Sequence, residues 1–153
     1  MRRSILLSCI FFLITSGLSA QPEAGHRHGL GLTVGPVYLS DDDMFAPAVQ
    51  LEYDYTFLMS GREWFAGAAS EIIFMNQRHI GLAVFIGFAP VGGLALNLGP
   101  GVMFEGEKHY FSANLGAVYE FELKRFTIGP ALEMAHTGHH YHLLLGLNLG
   151  LSF

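Results

Sequence analysis

The stretch His142-Leu143-Leu144-Leu145-Gly146-Leu147-Asn148-Leu149-Gly150-Leu151-Ser152-Phe153 decides the fold. In an extended chain, Leu143, Leu145, Leu147, Leu149, Leu151 and Phe153 fall on one side, and His142, Gly146, Asn148, Gly150 and Ser152 on the other; only Leu144 breaks the alternation. Successive side chains of a strand point to opposite faces, so the segment has one apolar face and one small or polar face. In an exported chain, a last strand of this kind that finishes on an aromatic residue is predicted to be the closing stave of an outer-membrane β-barrel.

Export is written at the other end. Arg2 and Arg3 precede an apolar stretch over 5–14 and the small residues Ser16, Gly17, Ser19 and Ala20, which predicts a signal peptide over residues 1–20. Its apolar core is too short to span a bilayer, and nothing downstream has the roughly 20 unbroken apolar residues of a transmembrane helix. Any span must therefore be made of strands. Cys9, the single cysteine, lies inside the signal, where too little apolar sequence precedes it for a lipoprotein box; the mature chain is expected to carry no thiol.

About 133 residues remain, a length suited to one domain, read as a periplasmic tail over 21–27 and a barrel over 28–153. Charged residues are 14% of the chain, where a soluble domain averages about 25%. With Arg2 and Arg3 gone, six basic residues face thirteen acidic ones, a balance that disfavours nucleic acid as a partner.

Period-2 segments between turn signals give eight strands, over about 28–39, 47–58, 64–75, 79–89, 94–105, 110–123, 126–136 and 142–153. The outward faces carry residues such as Leu32, Val34, Leu51, Tyr53, Ile80, Leu82, Val84, Leu98 and Phe111; the inward faces carry Thr33, Gln50, Glu52, Asp54, Asn97, Ser112 and Asn114. Strands of about 11 residues at 3.3 Å each, tilted near 40°, match the hydrocarbon core. Trp64, Tyr38, Phe57, Phe104 and Tyr119 at strand ends would form interfacial girdles. The competing architecture is a soluble periplasmic barrel with its apolar face inside. The basic residues decide against it, because Arg27, Arg62, Arg78, Lys108, Lys124 and Arg125 all fall in the tail, turns or loops and leave no mid-strand cation to solvate an outer wall. The predicted fold is all-β, an eight-stranded antiparallel up-and-down transmembrane β-barrel.

With Phe153 at the periplasmic side, residues 60–63, 90–93 and 122–125 become periplasmic turns. The external loops are then 40–45, 76–78, 106–108 and 137–141, all short for such a barrel.

Leu98-Gly99-Pro100-Gly101-Val102-Met103-Phe104-Glu105, Tyr119-Glu120-Phe121-Glu122, Gly129-Pro130-Ala131-Leu132-Glu133 and Gly150-Leu151-Ser152-Phe153 together resemble a family of small bacterial outer-membrane β-barrel proteins. The resemblance covers the whole mature chain. It implies the barrel and its place in the outer membrane; the family has no assigned activity and transfers no functional residues.

Two constellations carry possible chemistry. His136, His139, His140 and His142 crowd the last hairpin, and His79 and His109 begin strands at the same end, so His79, His109, His136, His139, His140 and His142 form a candidate rim for a divalent metal. Against this, His-x-x-His-His is no recognised zinc spacing, and histidines at a lipopolysaccharide surface are often simple interfacial side chains. The second constellation is the inward wall, where Glu52, Asp54, Glu71, Glu105, Glu120, Glu122 and Glu133 have no lysine or arginine among them. Carboxylates confined together must be protonated, hydrated or neutralised by a cation. Glycines beside them, among them Gly35, Gly99 and Gly129, are expected to free volume for water, although an eight-stranded interior is too filled for a general diffusion pore.

Catalysis is disfavoured. The His-x-Ser pair of lipid A deacylases has its counterpart in His136-Thr137-Gly138, which lacks the serine, and the set Glu105, His109 and Ser112 makes a poor triad because Ser112 faces inward. The function expected from sequence is an outer-membrane barrel with a structural or small-ligand surface role, non-enzymatic and without a resident cofactor. The alternative is binding of a divalent metal or cation at the histidine rim and acidic lumen, and the third reading is a lipid A-modifying enzyme. Expected partners are outer-membrane lipid, lipopolysaccharide and, through Phe153, the barrel assembly machinery.

Overall fold

A computed structural model describes residues 27–76 and 79–153. The signal peptide expected over 1–20 and tail residues 21–26 lie outside the described residues; Arg27, read as tail, instead opens the first strand.

Alternation of apolar and polar residues becomes β1 (Arg27–Leu39), β2 (Met44–Met59), β3 (Arg62–Ile73), β4 (His79–Val91), β5 (Leu94–Glu105), β6 (Lys108–Tyr119), β7 (Phe121–Leu123), β8 (Phe126–His136) and β9 (Tyr141–Ser152). Consecutive strands pair antiparallel except β6 and β7, which both pair with β8, and β1 pairs with β9 from Gly29 opposite Ser152 to Leu39 opposite His142, which closes the barrel. Closure leaves no unpaired sheet edge, the condition for a sheet that sits in hydrocarbon.

Nine segments make eight staves because β6 and β7 are one wall strand interrupted at Glu120, where the sequence predicts an unbroken strand. Both pair with β8 in a single register, Val118 opposite Ala131 and Phe121 opposite Ile128. The gap falls opposite Gly129 and Pro130. Proline has no N–H to give the ladder, and the Glu120 N–H donates instead to the Gly93 carbonyl at 2.6 Å. A side chain at Gly129 would overlap the Tyr119 carbonyl oxygen, so glycine is what allows the two staves to meet here. Gly35 plays the same part at the closing seam, against the backbone of Leu145 and Gly146. These glycines therefore serve close strand approach and not the lumen water expected of them. Gly129→Val is expected to lower stability by about 1–3 kcal/mol, read as an earlier urea midpoint in micelles, whereas Gly92→Ala, with open space around its position, leaves the midpoint unchanged.

The turns are tighter than the sequence suggests. Residues 60–61, 92–93 and 124–125 connect strands at one mouth, with Ser60, Gly61, Gly93 and Lys124 at positive φ. Such two-residue turns match the twist of the flanking strands. The other mouth carries the longer connections 40–43, 74–78 and 137–140 together with the short 106–107.

Outward residues are apolar along the staves: Val84, Leu98, Phe111, Leu115, Leu145 and Leu147 are all exposed. A continuous belt of this size is solvated without penalty only by lipid. Trp64 against Phe88, and Tyr38 against Phe45 and Tyr141, mark its two rims. Among the described residues no helix is long and apolar enough to cross a membrane; strands form the wall.

Inside, the two halves differ. Toward the longer-loop mouth, Val37, Leu39, Ala46, Ala48, Ile73 and Leu144 form a dry cluster against which Met75 packs. Leu144, the fault in the alternation of the last strand, is thus an inward residue of this plug. The rest of the interior is mixed: Gln50, Asn148 and Thr33 are buried with the lumen acids below them, and Phe85, Met103 and Val118 are buried among these polar groups.

Candidate metal site

Six histidines are candidates at the longer-loop mouth, and strand parity separates the four that lie on strands. His79 opens β4 on the inward phase, directly across the ladder from Glu105, the last residue of β5. His142 is inward on β9, between Leu39 of β1 and Ala135 of β8. His140 stands in the 137–140 connection, where its carbonyl accepts from the Thr137 N–H at 3.0 Å and from the Thr137 hydroxyl at 3.1 Å. His109 and His136 occupy the outward phase of β6 and β8, and His139 is exposed in the loop. The structure therefore brings together His79, His140 and His142 and leaves His109, His136 and His139 outside.

The three inward rings form a column. His142 lies between the other two, 5.8 Å from His79 and 5.2 Å from His140 by ring centroids, both pairs stacked. Tyr110 meets His140 edge-on. Glu105 closes the group: its Oε1 is 2.8 Å from His140 Nε2 and 3.9 Å from His142 Nε2. Donor atoms of His79, Glu105 and His142 all lie within 4.8 Å of one another, and so do those of Asp41, Glu105 and His140. Asp41 reaches the site because the 40–43 turn is tied to the start of β9, Ser40 N–H to the Tyr141 carbonyl at 3.1 Å and Tyr141 N–H to Ser40 Oγ at 2.8 Å.

Burial makes the cluster chemically pointed. His142 is 1% exposed and His79 6%. Neither ring nitrogen of His142, nor Nδ1 of His79, has a hydrogen-bond partner. A buried polar atom left unpaired costs about 1–3 kcal/mol, and buried groups in folded proteins are rarely left so. Imidazole nitrogens beside a carboxylate are the donor set of zinc, copper and nickel. Tetrahedral zinc with bonds near 2.0–2.2 Å holds its donors roughly 3.4 Å apart, so side-chain rotations of an ångström or so would close this group on an ion.

Glu105 and Asp41 are the members that sequence reasoning left out of the rim. The signal for Glu105 was present, since a histidine starting one inward face and an acid ending the inward face of the next strand must be ladder neighbours. The serine-based arrangements do not assemble: Ser112 is buried facing inward and accepts from Asn114 Nδ2 at 3.1 Å, while His109 points out of the wall.

The lumen below holds the acidic wall. Gln50 Nε2 donates to Glu133 at 2.5 Å and also to Glu52, bridging staves across the interior. Further down, Thr56 donates to Asp54 and Thr127 to Glu120.

No protein-family model and no curated protein matches the chain. Among solved structures, it is similar to the attachment invasion locus protein Ail of Yersinia pestis in complex with the heparin analogue sucrose octasulfate, at 17% identity and a TM-score of 0.59, over 84% of this chain and 99% of that one. A second structure of Ail aligns at 16% identity and a TM-score of 0.55, over 86% and 100% of the two chains. A de novo designed transmembrane β-barrel aligns at 10% identity and a TM-score of 0.52, over 86% and 100%. These likenesses establish the fold, that of a small eight-stranded membrane barrel of the outer-membrane type.

Proposed function

We propose that the protein is an integral barrel of a bacterial outer membrane that binds one divalent transition-metal ion inside its longer-loop mouth and catalyses no reaction. The observation that carries this reading is His142, a fully buried imidazole with both nitrogens unpartnered, placed between His79 and His140 and beside Glu105. Asp41 in the adjoining turn supplies an acidic approach. Longer connections sit at this mouth, and outer-membrane barrels keep their longer loops outside, which supports a metal site opening toward the cell exterior. Outer-membrane lipid and lipopolysaccharide then surround the apolar belt, and the histidines left on the outside, His109 and His136, border them.

The sequence reading of a structural or small-ligand surface role becomes specific here: the ligand is a metal ion. Enzymatic lipid modification has less support, because the described serines and histidines form no nucleophile and base pair of the kind such chemistry uses. Ail was solved with a polysulfated sugar. The interior of this barrel is acidic, which favours cations over such anions.

Calorimetric titration of the refolded, metal-free barrel with zinc or nickel chloride is expected to show one saturable site. At a metal concentration about a hundredfold above Kd, stability should rise by about 2.7 kcal/mol. Absence of heat together with an unchanged melting temperature would remove the metal reading.

A further inference from the structure

Three cavities follow one another along the barrel interior. The first, about 200 Å³, opens at the turn-side mouth and is bordered by Glu52, Asp54, Glu120 and Asn97. The second, about 40 Å³, shares Glu52 and Asn97 with it and adds Gln50, Glu71 and Glu133. The third, about 30 Å³, shares Gln50, Glu71 and Glu133 with the second and ends on His142. Since one ordered water needs roughly 10–15 Å³ of such space, the two small chambers each have room for a few waters and nothing larger.

Charge along this series has one sign. Among the described lining residues, the single lysine or arginine is Lys124, in the turn at the wide mouth. A low-dielectric wall around uncompensated carboxylates concentrates cations and repels anions. The lumen is crossed by the Gln50 bridge between Glu52 and Glu133, where Glu133 Oε1 is buried without a partner. Beyond it the dry cluster of Val37, Leu39, Ile73 and Leu144 blocks one side of the lumen. The polar crossing at this level is His142, with His140 and Glu105 above it.

We propose that the lumen is a narrow path for small cations, running from the turn-side mouth past Asp54, Glu52, Glu133 and Glu71 to His142, and that a metal ion bound at His142 plugs it. The path stands on the cavities and their lining and is independent of the metal reading; only the plug rests on that reading. The shared chemistry is a small cation. Protons can hop along hydrogen-bonded groups and a few waters, whereas an alkali ion must first open the Gln50 bridge.

The test uses the full barrel refolded in phosphatidylcholine vesicles. Proton flux is followed with entrapped pyranine under a potassium and valinomycin potential, potassium flux with a potassium-sensitive dye, and chloride flux with lucigenin. Proton or potassium flux about tenfold or more above protein-free vesicles, with chloride flux at the protein-free level, is the expected result. Glu133→Gln combined with Glu71→Gln should cut that flux by about tenfold, and Glu133→Asp, which keeps the carboxylate, should retain most of it; folding of each variant is checked by heat-modifiable gel mobility. Cation flux no greater than in empty vesicles, or chloride passing as readily as cations, would overturn the proposal. Micromolar zinc should block the wild-type flux and not that of His142→Ala; flux that zinc leaves untouched would preserve the path and overturn the plug.

Discussion

His142→Ala is expected to weaken zinc binding by more than about 100-fold, while His109→Ala and His136→Ala leave it within about twofold of wild type. The contrast follows from strand parity. His142 is inward, buried and adjacent to His79, His140 and Glu105, so its loss removes a ligand and opens a hole between His79 and His140. His109 and His136 are exposed on the outer wall and touch none of those donors. Glu105→Gln should fall between these limits, because it keeps an oxygen donor but discards the charge that opposes the cation. Isothermal titration of the four variants separates the outcomes. Equal losses for the inward and outward histidines would mean that the rim binds metal loosely from outside and that the internal cluster is not the site.

Leu147→Arg should cost about 2–4 kcal/mol in a bilayer, the range measured for a cation on the lipid face near the midplane of such barrels. Leu147 lies midway along β9, 49% exposed, with Val34 and Pro130 as its ladder neighbours. Nothing charged faces it from either stave. The neighbouring inward Asn148 makes the opposite point: buried, and donating to Thr33 Oγ1 at 3.0 Å, it belongs to the interior. Asn148→Leu should therefore also destabilise, by about 1–3 kcal/mol through the unpaired Thr33 hydroxyl and the crowded lumen. Urea titrations of refolding into thin lipid vesicles measure both. Tolerance of arginine at position 147 would show that this face meets water and not hydrocarbon.

Much of this architecture was legible in the chain because period-2 alternation is local. Leu143 through Phe153 and Val49 through Phe57 declare their outward faces without knowledge of any partner strand, and the positions of Arg62, Lys124 and Arg125 declare the turns. Exact ends were less legible. Met44, Phe45 and Ala46 join β2 in place of the expected loop because Leu39, Tyr38 and Val37 of β1 are there to pair with them. The interruption at Glu120 was hidden for the same reason: the missing N–H belongs to Pro130, on a different strand.

The histidine cluster shows the limit most clearly. Alternation has no say over His139 and His140 in the 137–140 connection, but it assigns His109 and His136 outward and His79 and His142 inward, so these last two members of the cluster were available from sequence. Their meeting was not. β4 and β9 are four staves apart in either direction around the barrel, so His79 and His142 come from opposite walls. Leu144, which looks like a fault in an otherwise regular strand, is explained only by the plug it joins.

By itself, the sequence determined the number of staves, the face each turns to lipid and the acidic character of the lumen, since these depend on neighbours one or two residues apart. Tertiary structure alone decided that opposite walls come close enough for His79 and His142 to stack, and that His140 and the 40–43 turn join Glu105 there, because barrel closure and stagger are properties of all the staves together and of no single strand.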